Sequence, residues 1–430
     1  MLKRGETLTS QFGGPVTVGE ELGSGGQGAV YRGTNAEGRG VAIKWYSPEF
    51  QLEEFRASIT QLVMRTPPSS RFLWPEDVVS RGTEFGYVMR LRPTNYCSVP
   101  QILRRRVSVR FRELVQAANQ TVSAFKELQA RGLFYCDISD KNLFLNPSTG
   151  DVLICDNDNV GSAERRPNIM LGTPRYMAPE IVRGEAEPSS LTDLFSMAVL
   201  LFLLLFNDHP LQGAAEAKIR CFDAAAMQQL YGTSPVFLFD PVDDSNRPVP
   251  GVQVNAPIYW ALYPAPVKEI FTQAFTVGLN DPGSRPTFTD WHRALGALQD
   301  AIVYCSHCGK QNFYDAEKPS LACWKCSSAV PLPMRLTIQG RRTVMLNSDT
   351  KLYRHHLKSR GGDPGDRGES IGDMVRHPTE RAWGLRNLGE SPWFTKLPDG
   401  SAQSIDSGRA VLVQPGTEIS FGEVTGVIEA

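Results

Sequence analysis

Tyr135-Cys136-Asp137-Ile138-Ser139-Asp140-Lys141-Asn142-Leu143-Phe144-Leu145 is the stretch around which the rest of the chain is organised. An acid followed five positions later by Asn, and then by alternating apolar residues, suits a loop that presents one carboxylate to an incoming hydroxyl. The amide oxygen of Asn142 can take a metal, and Leu143 and Leu145 can anchor the loop in a core. Alone the pattern is weak. It gains force from the segments on either side.

Upstream, Leu22-Gly23-Ser24-Gly25-Gly26-Gln27-Gly28-Ala29-Val30 contains G-x-G-x-x-G-x-V. Its glycines let a hairpin turn lie close to phosphates with backbone N–H groups free to donate. The strand-like Val41-Ala42-Ile43-Lys44 follows at the spacing of a neighbouring strand, from which a Lys can reach α- and β-phosphates. Downstream, the apolar strand Val152-Leu153-Ile154 delivers Cys155-Asp156-Asn157-Asp158. Further on lies Gly172-Thr173-Pro174-Arg175-Tyr176-Met177-Ala178-Pro179-Glu180.

Taken in this order, the first 300 residues resemble a eukaryotic-like serine/threonine protein kinase. The resemblance implies a bilobal α+β fold that binds ATP with Mg²⁺. Gly23, Gly25, Gly28, Val30, Ala42, Lys44, Met89 and Leu91 would form the nucleotide site, with Met89 guarding the adenine pocket. Asp137 would be the catalytic base, and Asn142 and Asp156 the Mg²⁺ ligands. Thr173 would place a hydroxyl near Asp137, and Lys141 would steady the γ-phosphate from the loop that in the family carries a Lys at the place of Ser139. Asp193 would brace the catalytic loop from a buried helix, and Glu180 would pair with Arg285.

The sequence departs from the family at three further places. The helical segment Glu53 to Met64 carries Glu53 and Glu54 too close to Lys44. Thr60 and Gln61, nearer the usual spacing, are not acidic, so the partner of Lys44 is open. The Asp-Phe-Gly motif has become Asp156-Asn157-Asp158, and the extra acid is expected in solvent rather than in a metal site. Cys136 stands where many kinases keep an Arg that clamps a phosphorylated activation segment. The run Val160 to Met170 offers only Ser162 as a phosphate acceptor and carries its own charges at Glu164, Arg165 and Arg166. Control by activation-segment phosphorylation is therefore not expected.

Cys305-Ser306-His307-Cys308 and Cys323-Trp324-Lys325-Cys326 give C-x₂-C twice, with 14 residues between them. Two thiolate pairs on tight knuckles complete a tetrahedral S₄ shell, which predicts a structural Zn²⁺ on Cys305, Cys308, Cys323 and Cys326. Two disulfides are the alternative. They are disfavoured because the remaining cysteines are scattered singly, as in a reducing compartment. His307 is expected beside the shell rather than in it. From Pro331 onward, alternation in Arg335-Leu336-Thr337-Ile338 and Ala410-Val411-Leu412-Val413 with Gly- and Pro-rich turns predicts a small β-sandwich. It faintly resembles a forkhead-associated module, with Gly340-Arg341 and His355-His356 as imperfect ligand candidates.

Four segments are expected: 1–92 and 93–300 as the kinase lobes, 301–330 as the ribbon, and 331–430 as the β-module. Their order resembles bacterial kinases of tellurite-resistance-type phosphorylation triads. That likeness implies a stress or defence role, a protein substrate, a von Willebrand A protein and a PP2C-type phosphatase as partners. The competing class is a pseudokinase scaffold that binds nucleotide and recruits proteins.

The bulk numbers agree with a cytoplasmic protein. Lys and Arg total 45 against 46 Asp and Glu, a formal charge of −1, so no field favours nucleic acid or an acidic membrane. The basic run Arg104-Arg105-Arg106 is expected on a solvated helix face. The apolar run Met197 to Phe206 is too short for a span of ~20 residues and reads as a buried helix. No apolar signal core follows Met1-Leu2-Lys3-Arg4, and no export signal is expected.

Overall fold

A computed structural model describes the whole chain except residues 163–171, 319, 359–362, 366–367, 378, 380–381 and 397–400. Glu164, Arg165 and Arg166 lie outside the described residues. The chain divides into two compact units. The first comprises Met1–Ser108, Ala124–Pro147 and Asp151–Leu200, and the second Val109–Ser123, Ser148–Gly150 and Leu201–Ala430.

The first unit begins with six antiparallel strands: β1 (Thr7–Ser10), β2 (Val16–Gly25), β3 (Gly28–Thr34), β4 (Gly40–Tyr46), β5 (Pro75–Arg81) and β6 (Glu84–Arg90). They close in the order β1-β2-β3-β4-β6-β5, so the barrel has no open edge. Alternation fills it: Val16 and Val18 of β2, Ala29 and Tyr31 of β3, and Val41, Ile43 and Trp45 of β4 share one core. The other face of β4 carries Ala42, Lys44 and Tyr46, and these are buried too. Register places Val30 and Tyr87 beside Lys44, and Met89 beside Ala42. Cross-strand partners share a face. Val30, Ala42, Lys44 and Met89, all expected at the nucleotide, therefore line one side of the sheet.

Helix α1 (Glu53–Val63) buries only Ile59 and Leu62 and takes the Trp74 indole N–H on the Leu62 carbonyl at 2.9 Å. The stretch after Gly132 forms short strands. Leu143–Leu145 pairs with Val152–Ile154 and with Cys97–Ser98, and Leu133–Phe134 pairs with Gly161–Ser162. Leu143 and Leu145 are buried, anchoring the loop as expected. Main-chain bonds Leu73 N–H to Ile154 O and Ile154 N–H to Arg71 O, both 2.8 Å, fix the strand that delivers Asp156.

The second unit holds the helices Ala265–Phe275 and Phe288–Asp300, the cysteine ribbon and two β-sheets. In the ribbon, Ile302–Tyr304 pairs with Gln311–Phe313. Phe313 packs on Phe111 and Tyr263 with ring centroids 5.1 and 5.2 Å apart, so the ribbon is built onto helical structure rather than hung from it. A six-stranded sheet includes Arg335–Ile338, Thr425–Glu429 and Trp393–Lys396. A four-stranded sheet includes Gly372–Arg376, Trp383–Asn387 and Ala410–Leu412. Leu336, Trp393, Ile419 and Ile428 from the first meet Met374, Leu385 and Val411 from the second in a single core. The expected β-sandwich is thus present, with its strands at Arg335–Ile338 and Ala410–Leu412 almost where alternation put them.

The apolar run Met197 to Phe206 lies in the helix Ser190–Phe206 and is buried throughout. Among the described residues no helix is long and apolar enough to cross a membrane.

Candidate active site

Cys136 has φ +68°, and the Asp137 N–H donates back to the Tyr135 carbonyl at 2.9 Å. This tight γ-type turn is strained for a residue with a Cβ, and it sets the backbone from which the Asp137 side chain departs. Asp193, at the start of the helix Ser190–Phe206, holds the turn. Its carboxylate accepts from Tyr135 N–H at 2.6 Å and from Cys136 N–H at 3.3 Å. Burial pushes the Asp193 carboxyl up to about 7 against those two donors, which favour the charged form. The bracing role expected for Asp193 is what the geometry displays.

The Asp137 carboxylate is then fixed from both sides. Thr173 Oγ1 donates to Oδ1 at 2.7 Å and Asn142 Nδ2 to Oδ2 at 3.0 Å. Asn142 Nδ2 also donates to the Asp137 main-chain carbonyl at 2.9 Å. Both bonds use the amide nitrogen, which leaves the Asn142 oxygen for a cation. Nearby, Tyr176 supports the loop, its hydroxyl accepting from Asp140 N–H at 3.2 Å while Arg175 pairs with Asp140 at 3.3 Å. Lys141 is exposed, and Ser139 is buried with its hydroxyl unpartnered among the described residues.

Asp156 also sits in the left-handed region, at φ +55° and ψ +45°. A one-turn helix, Asn157–Asn159, follows at once. Asn157, where the family has Phe, is fully buried and donates to the carbonyls of Leu73 at 2.8 Å and Ile154 at 3.1 Å. It replaces apolar packing with hydrogen bonds to the Leu73 carbonyl and to the end of the strand that leads to Asp156.

Asp158 is not in solvent, and here the expectation from sequence was wrong. Its side chain is 1 % exposed, and Oδ2 lies 2.7 Å from Lys44 Nζ and 2.6 Å from the Tyr46 hydroxyl. Lys44 also reaches Asp156 Oδ1 at 3.4 Å and Gln27 Oε1 at 2.8 Å. Burial alone would lower the Lys44 pKa, but the carboxylates of Asp158 and Asp156 outweigh it and leave the ammonium above its usual value. Gln27, Tyr46 and Asp158 are the residues missed. The one available signal was an unassigned lysine partner together with an unassigned acid.

The glycine-rich turn divides by physical role. A Cβ on Gly28 (φ +152°) would stand 2.0 Å from the Trp45 carbonyl oxygen, so this glycine is required by β4 itself. Gly23, Gly25 and Gly26 have open space where a Cβ would go, room that a phosphate can use. Gly28→Ala is therefore expected to cost at least about 2 kcal/mol of stability. Gly25→Ala should leave the denaturation midpoint in place and act on nucleotide affinity alone. Denaturant titration beside nucleotide titration of the two variants checks this.

The oxygen donors Asn142 and Asp156, with the buried Lys44 and the open glycine turn, suit a hard cation and the phosphates it accompanies. This is the cleft of a phosphoryl-transfer domain. Residues 16–290 match the family model described as protein kinase domain. The chain belongs to the protein kinase family. It is 27% identical over 256 residues to CBL-interacting protein kinase 28 of Oryza sativa subsp. japonica, covering 54% of this chain and 55% of that protein. It is likewise 27% identical over 218 residues to a probable serine/threonine-protein kinase, MARK-C, of Dictyostelium discoideum, covering 48% and 27%. The chain spans about half the length of the first of these relatives and about a quarter of the second.

The second unit carries the metal candidate. The sulfurs of Cys305, Cys308, Cys323 and Cys326 lie within 4.8 Å of one another. Cys305 and Cys326 sulfurs, and those of Cys308 and Cys323, are 3.6 Å apart, and all four cysteines are free thiols. A tetrahedron with Zn–S of about 2.3 Å needs edges of roughly 3.8 Å, so the cage has the size of zinc. The two knuckles repeat one design. Gly309 N–H donates to Cys305 O and Ser327 N–H to Cys323 O, and both Gly309 and Ser327 have positive φ. Asn312 Nδ2 points at Cys323 Sγ from 3.6 Å, and His307 stands exposed outside the cage.

The ligand candidates of the sandwich separate. Gly340 forms the turn between strands and Arg341 is exposed. His355 and His356 are buried, and His356 is committed to Asp300 at 3.0 Å and to Tyr353 N–H at 2.8 Å. The His pair is packing, not an open binding surface. Glu180 and Arg285 are each buried, one in each unit.

Proposed function

We propose that this chain is an ATP-dependent protein kinase that moves the γ-phosphate to a Ser or Thr of a partner protein. The observation that carries the reading is Asp137, its carboxylate set by Asn142 and Thr173 in the cleft that holds Lys44 and Asp156. When bound, Mg²⁺ supplies neutralisation of phosphate charge, and Asn142 and Asp156 are the residues to hold it. Lys44 binds the phosphates, and the glycine turn covers them with its backbone N–H groups. Asp137 orients the substrate hydroxyl and accepts its proton. Lys141, exposed on the same loop, is the residue to steady the γ-phosphate. Val30, Ala42, Met89 and Leu91 bound the adenine site.

A scaffold without transfer is the second reading. What favours it is the engagement of Lys44 by Gln27 and Asp158 in the phosphate site. Retention of Lys44, Asp137, Asn142 and Asp156 in one cleft favours catalysis, since a scaffold has no physical need of all four. Transfer of label from γ-labelled ATP to Ser or Thr of a protein substrate, present in the wild type and lost in Asp137→Ala, decides between them.

For the remainder we keep the four segments with boundaries near 92, 300 and 330, a cytoplasmic setting, Zn²⁺ in the ribbon, and a forkhead-associated-like module after it. The order of these segments supports a bacterial stress or defence role with a von Willebrand A protein and a PP2C-type phosphatase as partners. Co-purification of the full chain with either protein is the check on that part.

A further inference from the structure

Lys44 is buried and charged, yet α1 brings no acid to it. Glu53 and Glu54 are exposed in the first turn of α1, and Gln61 is exposed as well. The acid comes from elsewhere in the chain. Asp158 reaches Lys44 Nζ at 2.7 Å, and the Tyr46 hydroxyl donates to the same Asp158 oxygen at 2.6 Å. Tyr46 is two residues beyond Lys44 on β4, so both sides of the contact are set by one strand face. Asp158 is equally fixed, being the middle residue of Asn157–Asn159, whose first residue is pinned to the Leu73 and Ile154 carbonyls.

We propose that Asp158 is the positioning residue for Lys44, taking over the task that a helix-borne acid would otherwise perform. The inference rests on the kinase reading for its effect on rate, though not for its effect on nucleotide binding. Its consequence is economy of parts. Asp156 and Asp158 lie on one turn, so the same short segment places the metal ligand and the phosphate lysine together. The position of α1 then does not set the Lys44 contact, because its acids, Glu53 and Glu54, are exposed in its first turn. Without the Asp158 carboxylate, Lys44 is left to Gln27 at 2.8 Å and to Asp156 at 3.4 Å, and a closer approach to Asp156 draws it from the phosphates and engages the proposed metal ligand.

The test compares full-length wild type, Asp158→Asn, Tyr46→Phe and the double variant Glu53→Gln/Glu54→Gln. The readouts are Kd for an ATP analogue that cannot be hydrolysed, with Mg²⁺; kcat and KM for ATP; and the melting temperature. Asp158→Asn is expected to lower kcat/KM about 10²-fold, as a misplaced group in such a site does, with KM raised and analogue affinity weakened about tenfold. Tyr46→Phe, which keeps the charge and loosens its hold, should lose a few-fold in kcat/KM. The double variant should match wild type in all readouts. Should Asp158→Asn fail to fold, Tyr46→Phe alone carries the test, and wild-type kcat/KM in it refutes the proposal. Wild-type or raised rates in Asp158→Asn overturn it, showing that Asp158 blocks Lys44 or is idle. A loss in Glu53→Gln/Glu54→Gln as large as in Asp158→Asn overturns it as well, because α1 then supplies the acid. If wild type binds the analogue but transfers no phosphate, the kinase reading fails. The role of Asp158 is then decided by whether Asp158→Asn weakens analogue binding.

Discussion

Asp137→Ala and Asp156→Asn are each expected to abolish measurable phosphate transfer in a chain that still folds. Among the described residues the Asp137 carboxylate accepts from Thr173 and the Asn142 amide, and Asn142 keeps its second bond to the Asp137 main-chain carbonyl. Truncation therefore strands little and should cost about 1 kcal/mol of stability. The lost proton acceptor should cost 10²–10⁴-fold in rate. Asp156→Asn has a sharper signature. Burial pushes the Asp156 carboxyl above its ordinary range, opposed by Lys44 and reinforced by the nearby Asp158 charge. Removing the charge relieves that repulsion but also gives up the Lys44 contact at 3.4 Å, so the melting temperature should change little while transfer disappears. Radiolabel transfer and thermal melts on the same samples check both halves. Undiminished turnover in either variant removes these residues from the mechanism.

The second large effect is the metal. The purified chain is expected to hold one Zn²⁺, and Cys308→Ser/Cys323→Ser to hold none. Apparent binding free energies of structural zinc in short peptides are about 10–16 kcal/mol, and in such a segment binding is folding. The ribbon has few alternatives. Its paired strands are three residues each, and its core consists of Val303, Val330 and Met345 with Cys305 and Cys323 themselves. Stripping the ion leaves thiols at 3.6 Å with nothing to hold them, and Met345, part of the sandwich strand Arg342–Met345, loses its cover. Chelation should therefore lower the melting temperature and release the Trp324 indole N–H from the Gln311 carbonyl, detectable by its fluorescence. Metal analysis that finds no zinc, or finds it unchanged in the double variant, refutes the site.

The cleft that gathers Lys44, Asp137, Asn142 and Asp156 was legible because its residues fall in local patterns. A carboxylate and an amide five residues apart, a glycine hairpin, and a lysine on the next strand declare themselves in short windows where the backbone period is known. The ribbon was legible for the same reason, since a C-x₂-C knuckle is a complete half-site in four residues. Val30, Ala42 and Met89 could be placed because strand pairing carries Lys44 and its neighbours to one face in steps of two.

The sequence by itself therefore determined the protein kinase domain, the order of its motifs, the four cysteines and the two-sheet module. Only the tertiary structure decided what Lys44 touches. Asp158 is 114 residues away along the chain, and its contact depends on a left-handed Asp156, a one-turn helix and the Tyr46 hydroxyl acting together. None of these has a sequence period. The same holds for the burial of His356 against Asp300, 56 residues apart, which turned a candidate ligand into packing. A charge in water and a charge in a core look alike in sequence. They differ only in which groups the fold brings within about 3 Å to offset the loss of solvent.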